Sequence, residues 1–182
     1  MKSMDDRNLI LIGMAGAGKS TVGRQLARFL SLSFLDTDQL IEQRWACPLQ
    51  EIIDSEGLKS FRLTEEETIL SLDVSSHVIS TGGSVVYYPR AMAHLRNLGW
   101  ILWLDLPFEE LERRLVDATE NRGLVRTPDQ SLADLYRERN PLYERYAQIR
   151  VDALGKTDQE VVQEILESLH LEGPTHDQSN EG

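Results

Sequence analysis

The chain has 182 residues, enough for one domain with a sizeable core. Hydrophobic residues make up 41% and charged residues 27%, an ordinary globular balance, and no apolar run nears the ~18 residues of a membrane span. The net charge of −11 argues against a broad basic face for nucleic acid, while arginines can still gather locally.

The first seven residues, Met1-Lys2-Ser3-Met4-Asp5-Asp6-Arg7, lack the apolar core of a signal peptide. The run Leu9-Ile10-Leu11-Ile12 then reads as a buried strand over 8–12. Next comes Gly13-Met14-Ala15-Gly16-Ala17-Gly18-Lys19-Ser20, which fits the phosphate-binding pattern G-x-x-x-x-G-K-[ST] at every required position. A helix over 18–31 follows, with Val22, Leu26, Ala27 and Leu30 on its apolar face. Strand, glycine loop and helix are the setting in which backbone N–H groups converge on a polyphosphate. Gly13, Ala15, Gly16, Ala17, Gly18, Lys19, Ser20 and Thr21 are the nucleotide-binding candidates. Lys19 would neutralise the β and γ oxygens of ATP, and the Ser20 hydroxyl would ligate Mg²⁺. A Gly-rich turn with a surface lysine is the simpler alternative.

A strand over 33–36 ends in Phe34-Leu35-Asp36-Thr37-Asp38. Two carboxylates thus stand at a strand's carboxyl end, on the ligand-binding edge of an open α/β sheet. One acid suits Mg²⁺ through water, and the other suits a substrate hydroxyl. The competing possibility is an N-cap pair that starts the helix over 37–45. Helices over 48–55 and 58–72 come next, flanking Gly57. The lone cysteine, Cys47, excludes an internal disulfide and fits a reducing, cytoplasmic setting. Arg62 either pairs with Glu65 at i,i+3 or grips a ligand carboxylate. A strand over 77–80 leads into Thr81-Gly82-Gly83-Ser84, where two glycines permit close backbone approach to a ligand or form a simple turn.

Pro89 and Pro107 mark the first turns of helices over 89–97 and 107–118, on either side of a strand over 100–104. The polar segment 119–130 holds Arg122 and Gly123 and has the length of a mobile lid. Ser131 with Asp134 caps a helix over 131–146. A strand over 148–151, a helix over 157–170 and a polar, disordered tail over 173–182 complete the chain. The alternation of strands and helices predicts a single α/β domain over 1–172 with a mostly parallel sheet. Arg62, Arg122, Arg126, Arg137 and Arg139 are candidates for a local anion site.

Taken in order, the segment 13–21, Leu35-Asp36-Thr37-Asp38, Phe61-Arg62 with Glu65, Ser80-Thr81-Gly82-Gly83, Asn121-Arg122 and Arg139-Asn140-Pro141-Leu142-Tyr143 resemble the shikimate kinases. The likeness covers roughly residues 7–170. It implies a three-layer P-loop kinase fold with a five-stranded parallel sheet flanked by helices and a mobile lid. It implies ATP-dependent phosphorylation of the shikimate 3-hydroxyl in aromatic amino-acid biosynthesis, with Mg²⁺, by a cytoplasmic monomer. By position, Lys19, Asp38 and Arg122 would be catalytic, with Arg122 also on the nucleotide phosphates. Asp38, Gly82 and Gly83 would meet the ring hydroxyls, Arg62 and Arg139 the carboxylate, and Ser20 and Asp36 the metal.

Three positions depart from the family pattern. Ser84 stands for a third glycine, Gly123 for a proline in the lid, and Ile53 for a pocket aromatic. A kinase for another hydroxy acid or amino alcohol is one alternative, supported mainly by Ser84. A nucleotide-binding regulatory module is the alternative from a different class.

Overall fold

The computed structural model describes residues 7–117 and 130–169. Five strands form one parallel sheet: β1 (Asn8–Ile12), β2 (Ser33–Asp36), β3 (His77–Ser80), β4 (Gly99–Asp105) and β5 (Ile149–Asp152). Their spatial order is β2-β3-β1-β4-β5. Strand β1 lies at the centre and is buried at every residue, as its unbroken apolar run requires. The strands expected at 8–12, 33–36 and 77–80 have those bounds, and the last two, expected at 100–104 and 148–151, differ by one residue at each end.

The helices are α1 (Lys19–Phe29), α2 (Thr37–Trp45), α3 (Leu49–Leu70), α4 (Pro89–Leu98), α5 (Phe108–Asp117), α6 (Leu132–Tyr146) and α7 (Asp158–Ser168). A short 3-10 turn, Val85–Tyr87, precedes α4 and was not foreseen. Gly57, at φ 79° and ψ 158°, breaks α3 into two arms, the two helices expected around it. Pro89 does open α4, whereas Pro107 sits just before α5 and accepts from the Leu111 N–H. Ser131 and Asp134 form the expected capping box of α6.

Helix α1 packs over β1, β2 and β3 and meets α7, which lies on β5; α4 and α6 pack on β4. The sheet is thus the middle of three layers. Ile10, Leu11, Ile79, Ile101 and Leu102 are fully buried between them. Each such side chain contributes about 1.5–3 kcal/mol by leaving water. The buried Asn8 side chain fixes the amino ends of the strands: its Nδ2 donates to Val74 O and Leu98 O, and its Oδ1 accepts from the His77 N–H.

Three loops therefore leave the carboxyl ends of adjacent strands β2, β3 and β1. From β1 the chain runs on to β2 on one side, and from β3 to β4 on the other. The strand order reverses there, which opens a crevice at that edge.

Candidate active site

The loop after β1 is built for an anion. Gly13, Gly16 and Gly18 have φ of 143°, 84° and 93°, values that side chains disfavour. The loop can therefore curl with its amides inward. Gly18 is the N-cap of α1 and supplies no side-chain cap, so the positive end of the helix faces the loop. Lys19 is buried, and its Nζ donates to Gly13 O and Met14 O, both at 2.8 Å. The lysine thus lies folded across the loop that it would serve.

Ser20, one residue on, donates to Asp36 Oδ2 at 2.7 Å and lies 3.3 Å from the Ser80 hydroxyl. The second oxygen of Asp36 accepts from the Asp38 N–H at 3.1 Å. Asp36 is therefore the N-cap of α2, and the capping alternative falls on Asp36, not on Asp38. The capping hydrogen bond uses Oδ1, and Oδ2 faces Ser20. A hydroxyl and a carboxylate oxygen side by side suit a hard cation such as Mg²⁺, which takes few protein ligands beside phosphates and water.

Asp38 is carried on the first turn of α2 to a position against Gly82. A Cβ at Gly82 would stand 2.7 Å from Asp38 Oδ1 and 2.9 Å from Glu65 Oε1. The glycine is needed for this approach, not for a special φ. The Gly82 N–H also donates to the Thr37 hydroxyl at 3.3 Å. Burial, then the Glu65, Asp36 and Glu42 charges, push the Asp38 carboxyl up to about 7, against the pull of Lys19. A carboxylate so placed is poised to take a proton near neutral pH.

The Arg139 side chain is almost fully buried and lies beside Gly83, where a Cβ would stand 3.1 Å from its Nη1. Arg139 Nε donates to the Tyr87 hydroxyl at 3.2 Å. The Tyr87 ring has the Arg139 and Arg62 Cζ atoms 5.2 and 5.6 Å from its centroid. Two guanidinium groups thus share one aromatic ring, a stabilising contact for each. Arg62 Nε is buried and has no hydrogen-bond partner among the described residues. Such a group fits a ligand with acceptor oxygens. Tyr143 braces the site from beneath: its hydroxyl donates to Gly83 O at 2.6 Å, and its ring stacks on Trp103.

Several expectations are corrected. Arg62 and Glu65 do not pair; both Glu65 oxygens are taken by hydroxyls of Ser84 and Tyr88. Ser84 is fully buried, so its side chain does not add a group to the acceptor pocket. Arg137 points to solvent and pairs with Asp134 at 2.7 Å, outside any anion cluster. Ile53 packs at the edge of a small core of Ile41, Leu49, Ile52 and Phe61. Arg122, Arg126, most of the lid 119–130 and the tail 173–182 lie outside the described residues. Tyr87, Tyr88 and Tyr143 were not foreseen as parts of the site. Two adjacent tyrosines, separated from the glycine pair by Ser84-Val85-Val86, were the available signal for the first two.

Comparison with known proteins points to one family. The shikimate kinase family model matches residues 15–170. A shikimate kinase of Paracidovorax citrulli is 42% identical over 168 residues, which span 90% of this chain and 92% of that protein. A shikimate kinase of Dechloromonas aromatica is 39% identical over 168 residues, spanning 90% and 91%. Shikimate kinase from Acinetobacter baumannii, solved in complex with shikimate, superposes with a TM-score of 0.83 at 31% identity, covering 90% of this chain and 93% of that one.

Proposed function

The chain belongs to the shikimate kinase family, and we propose that its own residues carry the γ-phosphoryl group of ATP to the 3-hydroxyl of shikimate, in aromatic amino-acid biosynthesis. One observation carries the residue assignment. Asp38 stands against Gly82 and Arg139 against Gly83, on the sheet edge that also bears the phosphate loop. A hydroxyl-directed acid and a carboxylate-directed cation thus flank one dipeptide next to the phosphate cradle. A hydroxy acid lying across Gly82 and Gly83 would meet both.

The loop amides and Lys19 would hold the phosphates in line with the acceptor oxygen, and that alignment supplies most of the rate. Asp38 would accept the hydroxyl proton as the new O–P bond forms and the bond to the departing ADP breaks. Arg62 and Arg139 would anchor the carboxylate, Arg62 through its partnerless Nε. Mg²⁺, held by Ser20 and through water by Asp36, would offset charge on the β and γ oxygens. Arg122, from a lid over 119–130, would add a further positive charge on the phosphates. None of the described helices is long and apolar enough to cross a membrane. The lone cysteine favours a reducing, cytoplasmic setting. Ser84 lends no support to a different acceptor, because its hydroxyl is spent on Glu65.

Substitution separates the two ligands. Arg62→Ala and Arg139→Ala should each weaken shikimate binding by about 1.5–3 kcal/mol, the worth of a charged hydrogen bond, and spare ATP binding. Titration of each variant with shikimate and with an ATP analogue reads this. Equal losses for both ligands, or none for shikimate, would withdraw the carboxylate role.

A further inference from the structure

Tyr87 ends the short 3-10 turn that follows the Gly82-Gly83 pair. Val85 and Val86, the two residues before it, are buried, and the Tyr87 N–H donates to Ser84 O at 3.0 Å. The ring is half-buried and packs against the main core. Backbone and ring are thus both held in place. Burial pushes the Tyr87 phenol up, so the hydroxyl keeps its proton and the ring stays neutral.

Two cations reach this ring from different helices. Arg62 comes from the second arm of α3, with Cζ 5.6 Å from the ring centroid, and Arg139 from α6, with Cζ at 5.2 Å. Arg139 has a second hold on Tyr87, because its Nε donates to the hydroxyl at 3.2 Å. Its Nη1 lies beside Gly83, 3.1 Å from where a Cβ would stand. A planar guanidinium bonded at one nitrogen and confined at another has little freedom to turn.

Like charges near one point repel, and each long side chain loses rotamer freedom when it is ordered. The electron-rich ring attracts both cations and so sets their spacing before a ligand arrives. An incoming carboxylate then meets two forks already in place, and their ordering does not subtract from its affinity.

We propose that Tyr87 is a positioning residue of the acceptor site and a determinant of its selectivity for a carboxylate: ring and hydroxyl together hold Arg62 and Arg139 at the spacing that one carboxylate bridges. The proposal rests on both arginines being carboxylate ligands, as argued above. Tyr87 acts through them and not by touching the acceptor.

The test measures shikimate dissociation constants by calorimetry, beside kcat and KM for ATP, shikimate and shikimate methyl ester, in Y87F, Y87L, R62A, R139A and the double variant Y87F with R139A. Y87L keeps the bulk but removes ring and hydroxyl, and should bind shikimate about tenfold more weakly. Y87F keeps the ring and loses only the bond to Arg139, so its loss should be about threefold. The rise should fall on KM for shikimate, with kcat and KM for ATP nearly unchanged. The ester has no charge for the arginines to grip, so Y87L should leave its kcat/KM nearly unchanged and narrow the preference for the acid. Y87F should add nothing to R139A, because the hydroxyl works through that guanidinium. Unchanged shikimate affinity in Y87F and Y87L overturns the proposal. So does an equal loss for acid and ester, the mark of packing or of direct contact with the acceptor ring, or a Y87F loss that adds in full to that of R139A. These outcomes count against Tyr87 while R62A and R139A still weaken shikimate binding. If R62A and R139A leave it intact, the carboxylate assignment falls first and takes the proposal with it.

Discussion

Asp38 Oδ1 and Glu65 Oε1 converge on the same point beside Gly82, 2.7 and 2.9 Å from where a Cβ would stand. Two carboxylates in so small a space resist joint ionisation. Burial adds to this, and the Asp38 carboxyl is pushed up to about 7. Its folded pKa thus lies above the ordinary value, so the proton is held into neutral pH and the free base is present only above it. The rate kcat should rise with pH through about 7 and then level off. Asp38→Asn should remove that limb and lower kcat by about 10²–10⁴, the usual worth of a general base. Nucleotide affinity and helix α2 should survive, because Asp36 makes the cap. A flat profile across neutral pH, or near-normal turnover in the variant, would take Asp38 out of the mechanism.

Lys19→Ala should retain the fold and lose about 10²–10³ in kcat, the cost of removing one preorganised charge-stabilising donor. The loop also loses two hydrogen bonds, to Gly13 O and Met14 O, so a small fall in Tm is expected. Arg122→Ala should lower kcat and weaken ATP binding while sparing Tm, if 119–130 acts as a lid. Steady-state kinetics with melting curves read both. Normal turnover in Lys19→Ala would refute the phosphate-loop assignment.

The two glycines of the turn should respond differently. In Gly82→Ala the new methyl meets Asp38 and Glu65 below 3 Å, so the acid must move. A displacement of that order costs about a hundredfold in kcat. In Gly83→Ala the nearest atom is Arg139 Nη1 at 3.1 Å, which a shift of a few tenths of an ångström relieves. Its effect should be a several-fold rise in shikimate KM. Equal effects on both parameters in both variants would show that the glycines serve only the turn.

How far the site could be read in advance depended on where each partner lies along the chain. The phosphate loop was legible because its glycines, lysine and serine are contiguous and sit between an apolar run and an amphipathic helix. The strand ends carrying Asp36, Asp38 and Gly82 were legible for the same reason. The pairing of Ser84 and Tyr88 with Glu65 was not, since the partners are 19 and 23 residues apart and meet only when α3 packs near the 3-10 turn. Local spacing pointed to Arg62 with Glu65, and tertiary donors won. The 3-10 turn itself, Val85–Tyr87, has no periodicity to betray it. Tyr143 carried a helical spacing that spoke for burial but gave no hint that its hydroxyl reaches Gly83 O.

The central claim is that this chain phosphorylates shikimate with ATP. Acceptor-dependent ADP release, measured with shikimate and a panel of other hydroxy acids and amino alcohols, tests it most directly, with ³¹P and ¹H NMR to place the new phosphate. Shikimate should give the highest kcat/KM, with the phosphate on its 3-hydroxyl and release of ADP dependent on Mg²⁺. Preference for another acceptor, or ADP release indifferent to any acceptor, would contradict the claim.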